Sequence, residues 1–580
     1  MLLEQIDSPK DLKQLSIAQL PQLAQEIRHA LLTKVSQTGG HVGPNLGDVE
    51  LTIAFHYVFD SPTDKVVWDV SHQSYTHKIL TGRKQAWLDP AHYDDVSGFT
   101  APEESPHDFF TIGHTSTSVG LATGMAIARD HKHEPGNIVA VIGDGSLSGG
   151  LAYEALNNAA VLAGQLLIVV NDNEMSIAEN HGGIYENLKL LRDTEGKAER
   201  NLFKAIGLDY RYEAHGNDVA AMIAAFRAVR DLDHPLVLHV HTDKGLGYAP
   251  AEIDKEHWHW HVPFDLTTAE PLHPSTGVSY NSLILDRLEK HIADDDAPIY
   301  ALNAAIPGSF GLKRFAADYP KRYIDVGIAE QVSITLAAGM AQQDMRPVVF
   351  HSGTFLQRAY DQLSHDLGIN KLPAVLILNG GSVSGGDPTH QGTFDIAMLA
   401  NIPNLTYLAP TTKEELLAQL DWALTQTAGP VAIRVPAHGV QSAPLDPAFA
   451  PTALHVLHRG SKVALLGLGS MLATATAVAK QLAEHDIDAT VVDPRSTNAW
   501  AAEDLDQLAD HALVVTLEEG SLDGGFGQKV AAHFGPTATR VLTVGAKRQF
   551  NDRESTAELM ARDHLTPELI TADILKALAD

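Results

Sequence analysis

Short apolar runs that stop at glycine, aspartate or asparagine recur along this chain, and segments with apolar residues at helical spacing lie between them. Two runs frame the most informative stretch. Ile138-Val139-Ala140-Val141-Ile142 stops at Gly143-Asp144-Gly145, and Leu166-Leu167-Ile168-Val169-Val170 stops at Asn171-Asp172-Asn173. Runs apolar at every position predict strands covered on both faces, the pattern of a parallel sheet. A helix is expected between them, over 149–160. Upstream, a helix over 21–35 carries Leu23, Ala24, Ile27, Ala30 and Leu31 on one face, and a second starts near Glu50. A buried strand is expected over 66–70, ending at Ser71-His72-Gln73, and a helix over 119–129. Strands at 235–240, 323–326, 346–350, 374–378, 463–467, 489–492 and 513–516 continue the series. Alternation of this kind predicts an α/β fold of three parallel-sheet, doubly wound domains. Their expected extents are 1–270, 281–440 and 455–580, with a Pro-, Ser- and Thr-rich linker near 265–280. The charged, weakly periodic 184–207 is expected to be a mobile connection over the active-site face.

Ligands of open α/β sheets collect beyond the carboxyl ends of the strands. Asp144 and Asn173 stand at two such ends and offer hard oxygen ligands on one edge. Mg²⁺ takes one or two ligands of this type and completes its octahedron with phosphate oxygens. A Mg²⁺–diphosphate site is therefore expected, although Gly-Asp-Gly alone is as readily a tight turn. His41, His72 and His114 all fall at turns of the first α/β unit and together read as a site lining. In the second unit Glu330 opens a helix, where the helix dipole alone also favours an acid. The loop 379–391, with Gly380, Gly381, Gly385 and Gly386, is either flexible or shaped around a ligand.

Composition narrows the field. The 580 residues hold 42 basic and 72 acidic side chains, a formal charge of −30, which argues against nucleic acid and anionic membrane as partners. Anionic small molecules stay open, because a cleft can carry a local field opposed to the net charge. The absence of cysteine excludes disulfides and thiolate metal sites. Residues 1–13 carry acids and no apolar core, so no secretory signal is expected, and no apolar run approaches the roughly 20 residues that span a bilayer. A cytoplasmic protein is expected. A dinucleotide-dependent dehydrogenase is disfavoured, since no strand leads into a Gly-x-Gly-x-x-Gly turn.

Longer motifs carry a resemblance. They include Thr38-Gly39-Gly40-His41, Trp68-Asp69-Val70-Ser71-His72-Gln73, Gly143-Asp144-Gly145 and Asn171-Asp172-Asn173-Glu174-Met175-Ser176. Further along stand Asp325-Val326-Gly327-Ile328-Ala329-Glu330-Gln331, Thr354-Phe355-Leu356-Gln357-Arg358 and Thr389-His390-Gln391-Gly392. With these the chain resembles, over nearly its whole length, the 1-deoxy-D-xylulose-5-phosphate synthase family of thiamine diphosphate (ThDP) enzymes in the transketolase superfamily. The resemblance implies a transketolase-like ThDP-binding fold. Asp144, Asn173 and the Met175 carbonyl would hold Mg²⁺ against the diphosphate. Gly113, His114, Gly143, Gly145, Ser146 and Lys244 would lie on the cofactor with them. Glu330 would hydrogen-bond the aminopyrimidine nitrogen, with Phe355 and Arg358 near that ring. His41, His72, His259 and His390 would line the pocket as proton donors and acceptors, although His261 matches the family's Trp-His pair as well as His259 does. The implied substrates are pyruvate and the aldehyde acceptor glyceraldehyde 3-phosphate. The implied assembly is a homodimer in which the first and second domains of one chain form each site.

The chain also leaves the family pattern. Leu378-Asn379-Gly380-Gly381 stands for Asp-Arg-Ala-Gly, Val435-Pro436-Ala437-His438 for Tyr-Pro-Arg-Gly, and Ser352 for a tyrosine. Gly386-Asp387 replaces Asp-Gly, and Val332 replaces a histidine. The two arginines are ones the family uses around the acceptor's phosphate, where a planar bidentate cation has no equivalent in Asn379 or Ala437. Two readings follow: a synthase with a divergent phosphate grip, or a related ThDP carboligase or transketolase-like enzyme with a different aldehyde acceptor, phosphorylated or not. Retention of Glu330, Asp144 and Asn173 disfavours a third, non-catalytic one.

Overall fold

A computed structural model describes residues 1–274 and 277–579. Ser275 and Thr276, inside the stretch expected to be a linker, lie outside the described residues. The chain divides into two compact units, Met1–Thr276 with Gly327–Ala329, and Gly277–Val326 with Glu330–Asp580.

The first unit is built on five strands, β1 (Lys65–Trp68), β2 (Ile138–Gly143), β3 (Leu166–Asp172), β4 (Asp209–Glu213) and β5 (Pro235–His241). They pair in the order β1-β2-β3-β5-β4, all parallel. The apolar runs are continuous because the sheet is covered on both faces. Val139, Val141, Leu167 and Val169 enter one core, with α1 (Leu20–Thr38) and α2 (Val49–Val58). Ala140, Ile142, Ile168 and Val170 enter the other, with α3 (Ser118–Lys132) and α4 (Gly150–Ala159). Each Val, Leu or Ile among them contributes about 1.5–3 kcal/mol by leaving water.

Two expectations fail here. The strand expected over 66–70 stops at Trp68, because Val70 (φ 59°) and Ser71 (φ 65°) are left-handed. A β-branched residue in that region is strained, and such strain gathers at functional loops. The segment 184–207 is largely helical and packed. Helix α5 (Gly183–Asp193) sets Leu188 and Leu191 into the second core, with Ile184 and Tyr185 partly buried beside them. A short helix, Leu202–Ala205, follows, its first turn capped by the Asn201 side chain. Ile184, Tyr185, Leu188 and Leu191 recur at helical spacing on one face of α5, and the polar stretch with Glu195, Lys197, Glu199 and Arg200 that follows dilutes this pattern over the segment as a whole.

The second unit holds two sheets. One contains β6 (Ile299–Asn303), β7 (Tyr323–Asp325), β8 (Arg346–Ser352), β9 (Val375–Asn379), β10 (Thr406–Leu408) and β11 (Val431–Arg434), in the all-parallel order β10-β11-β9-β8-β6-β7. The other contains β12 (His455–His458), β13 (Val463–Gly467), β14 (Ala489–Asp493), β15 (Leu513–Ser521) and β16 (Arg540–Ala546), in the order β12-β14-β13-β15-β16. Here β12 runs antiparallel to β14, so the third sheet is mixed, not purely parallel. Its register shift between Val456 and His458 disrupts a sheet edge, a common guard against edge pairing. No described helix is long and apolar enough to cross a membrane.

Candidate active site

Asp144 and Asn173 leave adjacent parallel strands that are in register at Gly143 and Asn171. The Asp144 side chain is buried, and its Oδ2 accepts a 2.7 Å hydrogen bond from Asn180 Nδ2. Burial, reinforced by the nearby Asp172 carboxylate, pushes its pKa well above the ordinary range. Asn173 Oδ1 is buried with no hydrogen-bond partner. An orphaned buried carbonyl costs about 1–3 kcal/mol. The turn leading to Met175 is shaped by Asp172, whose Oδ1 accepts from Glu174 N at 3.1 Å. His239 Nε2 lies 2.7 Å from Asp172 Oδ2, which Arg192 also contacts. These partners hold the Asp172 pKa down, to about 2, against its burial. Gly145 has no room for a side chain, because a Cβ there would lie 2.5 Å from the Ser176 Cβ. The two strand-end loops therefore close on each other directly.

His41, His72 and His259 form one cluster. Ring centroids are 4.8 Å apart for His41 and His72, 5.1 Å for His72 and His259, and 5.6 Å for His41 and His259. Lys244 Nζ lies 3.1 Å from His259 Nδ1 and also donates to the Ser176 carbonyl. Burial lowers the Lys244 pKa to about 7. Burial, with Lys244 beside it, holds His259 well below the usual imidazole range, so this ring is neutral near pH 7. His261 stands apart from the cluster. It stacks on Trp258 at 4.4 Å and contacts the Val262 carbonyl, in a two-residue ribbon where Gly40 pairs with His261 and His41 with Trp260.

Two residues without an expected role hold these loops. Asn45 donates to the carbonyls of His41 (2.9 Å) and His72 (2.8 Å) and accepts from Tyr75 N, tying two histidine loops through one buried carboxamide. Asp69, fully buried, accepts from Ser116 N at 2.7 Å and Ser118 N at 2.9 Å, which fixes the Gly113-His114 loop at the entrance of α3. Ser116 Oγ then donates to the Ser146 carbonyl at 2.8 Å. Asp69 follows a buried strand, a visible signal, whereas nothing in the sequence marks Asn45.

In the second unit Glu330 is the first residue of α6 (Glu330–Ala341) and is buried. Burial raises its pKa, and Arg358, with Nη1 at 3.7 Å from Oε2, opposes that rise. Apart from the Arg358 ion pair, the buried Glu330 Oε2 has no hydrogen-bond partner. Phe355 and His390 rings meet edge to face at 5.5 Å. Asp387 sits under this turn, 3.3 Å from His390 Nδ1 and accepting 2.7 Å from Thr389 N. The acid that the family pattern places one residue earlier thus grips the histidine here.

The altered positions share one sheet edge. Ser352 and Asn379 are paired at the ends of β8 and β9, and Val435 N donates to Leu378 O beside them. Asn379 Oδ1 is buried without a hydrogen-bond partner. His438, mostly exposed, lies 3.4 Å from the buried Glu519, which raises its pKa.

The first unit's donor set suits a hard cation. It offers one carboxylate and one orphaned amide oxygen at neighbouring strand ends, with no sulfur and a lysine nearby to meet phosphate. Among the described residues no group of three or more His, Asp or Glu side chains could hold a metal ion.

Three family models match the chain. One described as 1-deoxy-D-xylulose-5-phosphate synthase covers residues 3–199, the transketolase pyrimidine binding domain covers 280–441, and the transketolase C-terminal domain covers 453–567. The 1-deoxy-D-xylulose-5-phosphate synthase 1 of Geobacter sulfurreducens is 40% identical over 605 residues, spanning 97% of this chain and 95% of its own. The enzyme of that name from Pelotomaculum thermopropionicum is 40% identical over 621 residues, spanning 100% and 97%. That of Symbiobacterium thermophilum is 41% identical over 612 residues, spanning 98% and 94%. Identity of this depth runs through all three sheets and both sets of strand ends, and the chain belongs to the 1-deoxy-D-xylulose-5-phosphate synthase family.

Proposed function

We propose that the chain catalyses the ThDP- and Mg²⁺-dependent condensation of pyruvate with glyceraldehyde 3-phosphate, with loss of CO₂, to give 1-deoxy-D-xylulose 5-phosphate. Family membership supports the reaction. The observation that carries the cofactor assignment is the buried, unpartnered Asn173 Oδ1 at the strand end next to Asp144. Bound ThDP supplies the carbon nucleophile and electron sink for decarboxylating a 2-oxo acid.

The protein's part is to bind, orient and move protons. Asp144, Asn173 and the Met175 carbonyl would hold Mg²⁺, and the buried Lys244 would supply a cation for the diphosphate. Glu330 would take the hydrogen bond of the pyrimidine ring nitrogen, and Arg358 opposes the rise that burial imposes on its carboxyl pKa. His259, neutral and fed by Lys244, accepts or donates a proton with His41 and His72 around it. His390, oriented by Asp387, does the same at the acceptor's side. The exposed apolar side chains Ile127, Leu151, Tyr153 and Val161 in the first unit, and Val332 and Leu336 on α6, support a homodimer that covers them.

A second reading has a specific observation in its favour. Asn379 Oδ1 is buried and unpartnered where the family pattern has an arginine, which suits a hydroxyl donor better than a phosphate. An enzyme with that preference joins pyruvate to a neutral aldehyde. Incubation with pyruvate, ThDP, Mg²⁺ and either aldehyde, read by CO₂ release and product mass, separates the two. Absence of CO₂ with every aldehyde overturns both.

A further inference from the structure

The segment expected to be mobile, together with Asn180 just before it, makes side-chain contacts with the two loops assigned to the metal. The chain leaves Asn173, turns at Glu174 (φ 70°) and doubles back in a tight hairpin. Met175 bridges Glu179, and Ser176 N donates to Ala178 O at 3.0 Å. This return places Asn180 beside Asp144, where its Nδ2 occupies Oδ2 at 2.7 Å. Five residues on, the Tyr185 hydroxyl lies 3.1 Å from the Gly145 carbonyl and 3.3 Å from that of Asp144. At the far end of α5, Arg192 reaches Asp172 and lies 3.2 Å from Glu174 Oε2, on either side of Asn173. Leu188 and Leu191, both fully buried, hold the helix in place between these contacts.

We propose that residues 180–192 form a strap whose Asn180, Tyr185 and Arg192 are positioning residues for the Mg²⁺–diphosphate site. The inference rests on the cofactor assignment above. Asn180 takes one oxygen of Asp144 and leaves the other for the ion, which makes the carboxylate a one-oxygen ligand in a fixed direction. Tyr185 pins the turn that carries it. Arg192 does the same for the turn carrying Asn173 and Met175, by bridging the acids that flank Asn173. Partners behind metal ligands orient them, and their loss costs about 10–100-fold in metal affinity. Mg²⁺ demands near-ideal octahedral geometry, whereas Ca²⁺ accepts irregular shells. A loosened Asp144 therefore penalises Mg²⁺ more than Ca²⁺.

The test titrates Mg²⁺ and Ca²⁺ separately into the full-length protein with saturating ThDP, following intrinsic fluorescence, and records the melting temperature without ligands. Asn180→Ala is expected to weaken Mg²⁺ by about tenfold and Ca²⁺ by less, with the unliganded melting temperature unchanged. Tyr185→Phe removes one oxygen and is expected to shift the same preference by a smaller factor, and it serves where Asn180→Ala does not fold. Unchanged midpoints in both variants overturn the proposal and leave the cofactor assignment standing. Equal weakening of both ions with a lowered melting temperature also overturns it, since that marks general loosening. A wild-type protein that binds no metal with ThDP overturns the strap and the cofactor assignment together.

Discussion

The carboxyl edges of the first two sheets carry the same kind of residue and have fared differently. On the first, Asp144, Asn173, His41, His72 and Lys244 all keep the family pattern, and the loops holding them are locked together. Gly145 has no space for a methyl group against Ser176, Asp69 clamps two backbone amides of the next loop, and Asn45 ties two histidine turns. On the second, Glu330, Phe355, Arg358 and His390 persist, while Ser352, Asn379 and Ala437 replace larger or charged groups, and Asp387 has moved by one position. The loop there is held through its backbone at that point: Gly386 (φ 125°) donates to the Glu554 carbonyl and accepts from Arg553 N, and no side chain lies against it. Where loops pack on each other, one change disturbs several contacts. Where a loop is held through its backbone, a charge can move to the neighbouring residue while those hydrogen bonds stay. The contrast separates the grip on the cofactor from the grip on the acceptor.

Three variants break or sharpen that contrast, in falling order of effect. Glu330→Gln is expected to lower kcat by about 10³-fold, within the range for loss of a positioned proton carrier, with Mg²⁺–ThDP binding weakened far less. Stopped-flow turnover beside a fluorescence binding curve checks this, and a purely affinity-based loss would remove Glu330 from the proton-handling role. Restoring both arginines, Asn379→Arg with Ala437→Arg, is expected to raise the preference for glyceraldehyde 3-phosphate over glyceraldehyde by about tenfold or more, the worth of a hydrogen bond to a charged group. Competition kinetics measure it, and an unchanged ratio would place the acceptor away from this edge. The smallest effect concerns pH. Arg358 lowers the Glu330 pKa, which burial has raised. Activity that needs the carboxylate is present above that pKa and lost as pH falls through it. Arg358→Met removes the opposing charge, so the acid limb of the kcat profile moves to higher pH. A limb that stays in place would show that another group sets it.

Much of this was legible in the sequence because strand ends announce themselves. Apolar runs stopping at Gly143-Asp144 and Asn171-Asp172-Asn173 located the first edge, and the same pattern located the second. Side chains that act through tertiary partners were not legible. Asn45 and Asn180 are ordinary polar residues until the fold brings carbonyls and a carboxylate to them. The repeat Trp258-His259-Trp260-His261 left two histidines equivalent, since a period of two offers the same pattern from either start. The ribbon register, with His41 opposite Trp260, puts His261 against Trp258 and His259 in the cluster. Helix α5 carries a helical stripe of Ile184, Tyr185, Leu188 and Leu191, but it is short, and the charged stretch after Asp193 hides it when 184–207 is read as one segment. The antiparallel β12 was missed because a short exposed edge strand lacks the apolar run that marks the buried ones.

The central claim is that an intact cofactor end serves an altered acceptor end. One measurement addresses it most directly: supply pyruvate, ThDP and Mg²⁺ with equal glyceraldehyde 3-phosphate and glyceraldehyde, and resolve the products by mass. The account predicts CO₂ release matched by condensation product, with 1-deoxy-D-xylulose 5-phosphate formed. It also predicts that the Asn379→Arg, Ala437→Arg variant shifts the product ratio further toward that phosphate ester. No CO₂ and no condensation product from either aldehyde would contradict it.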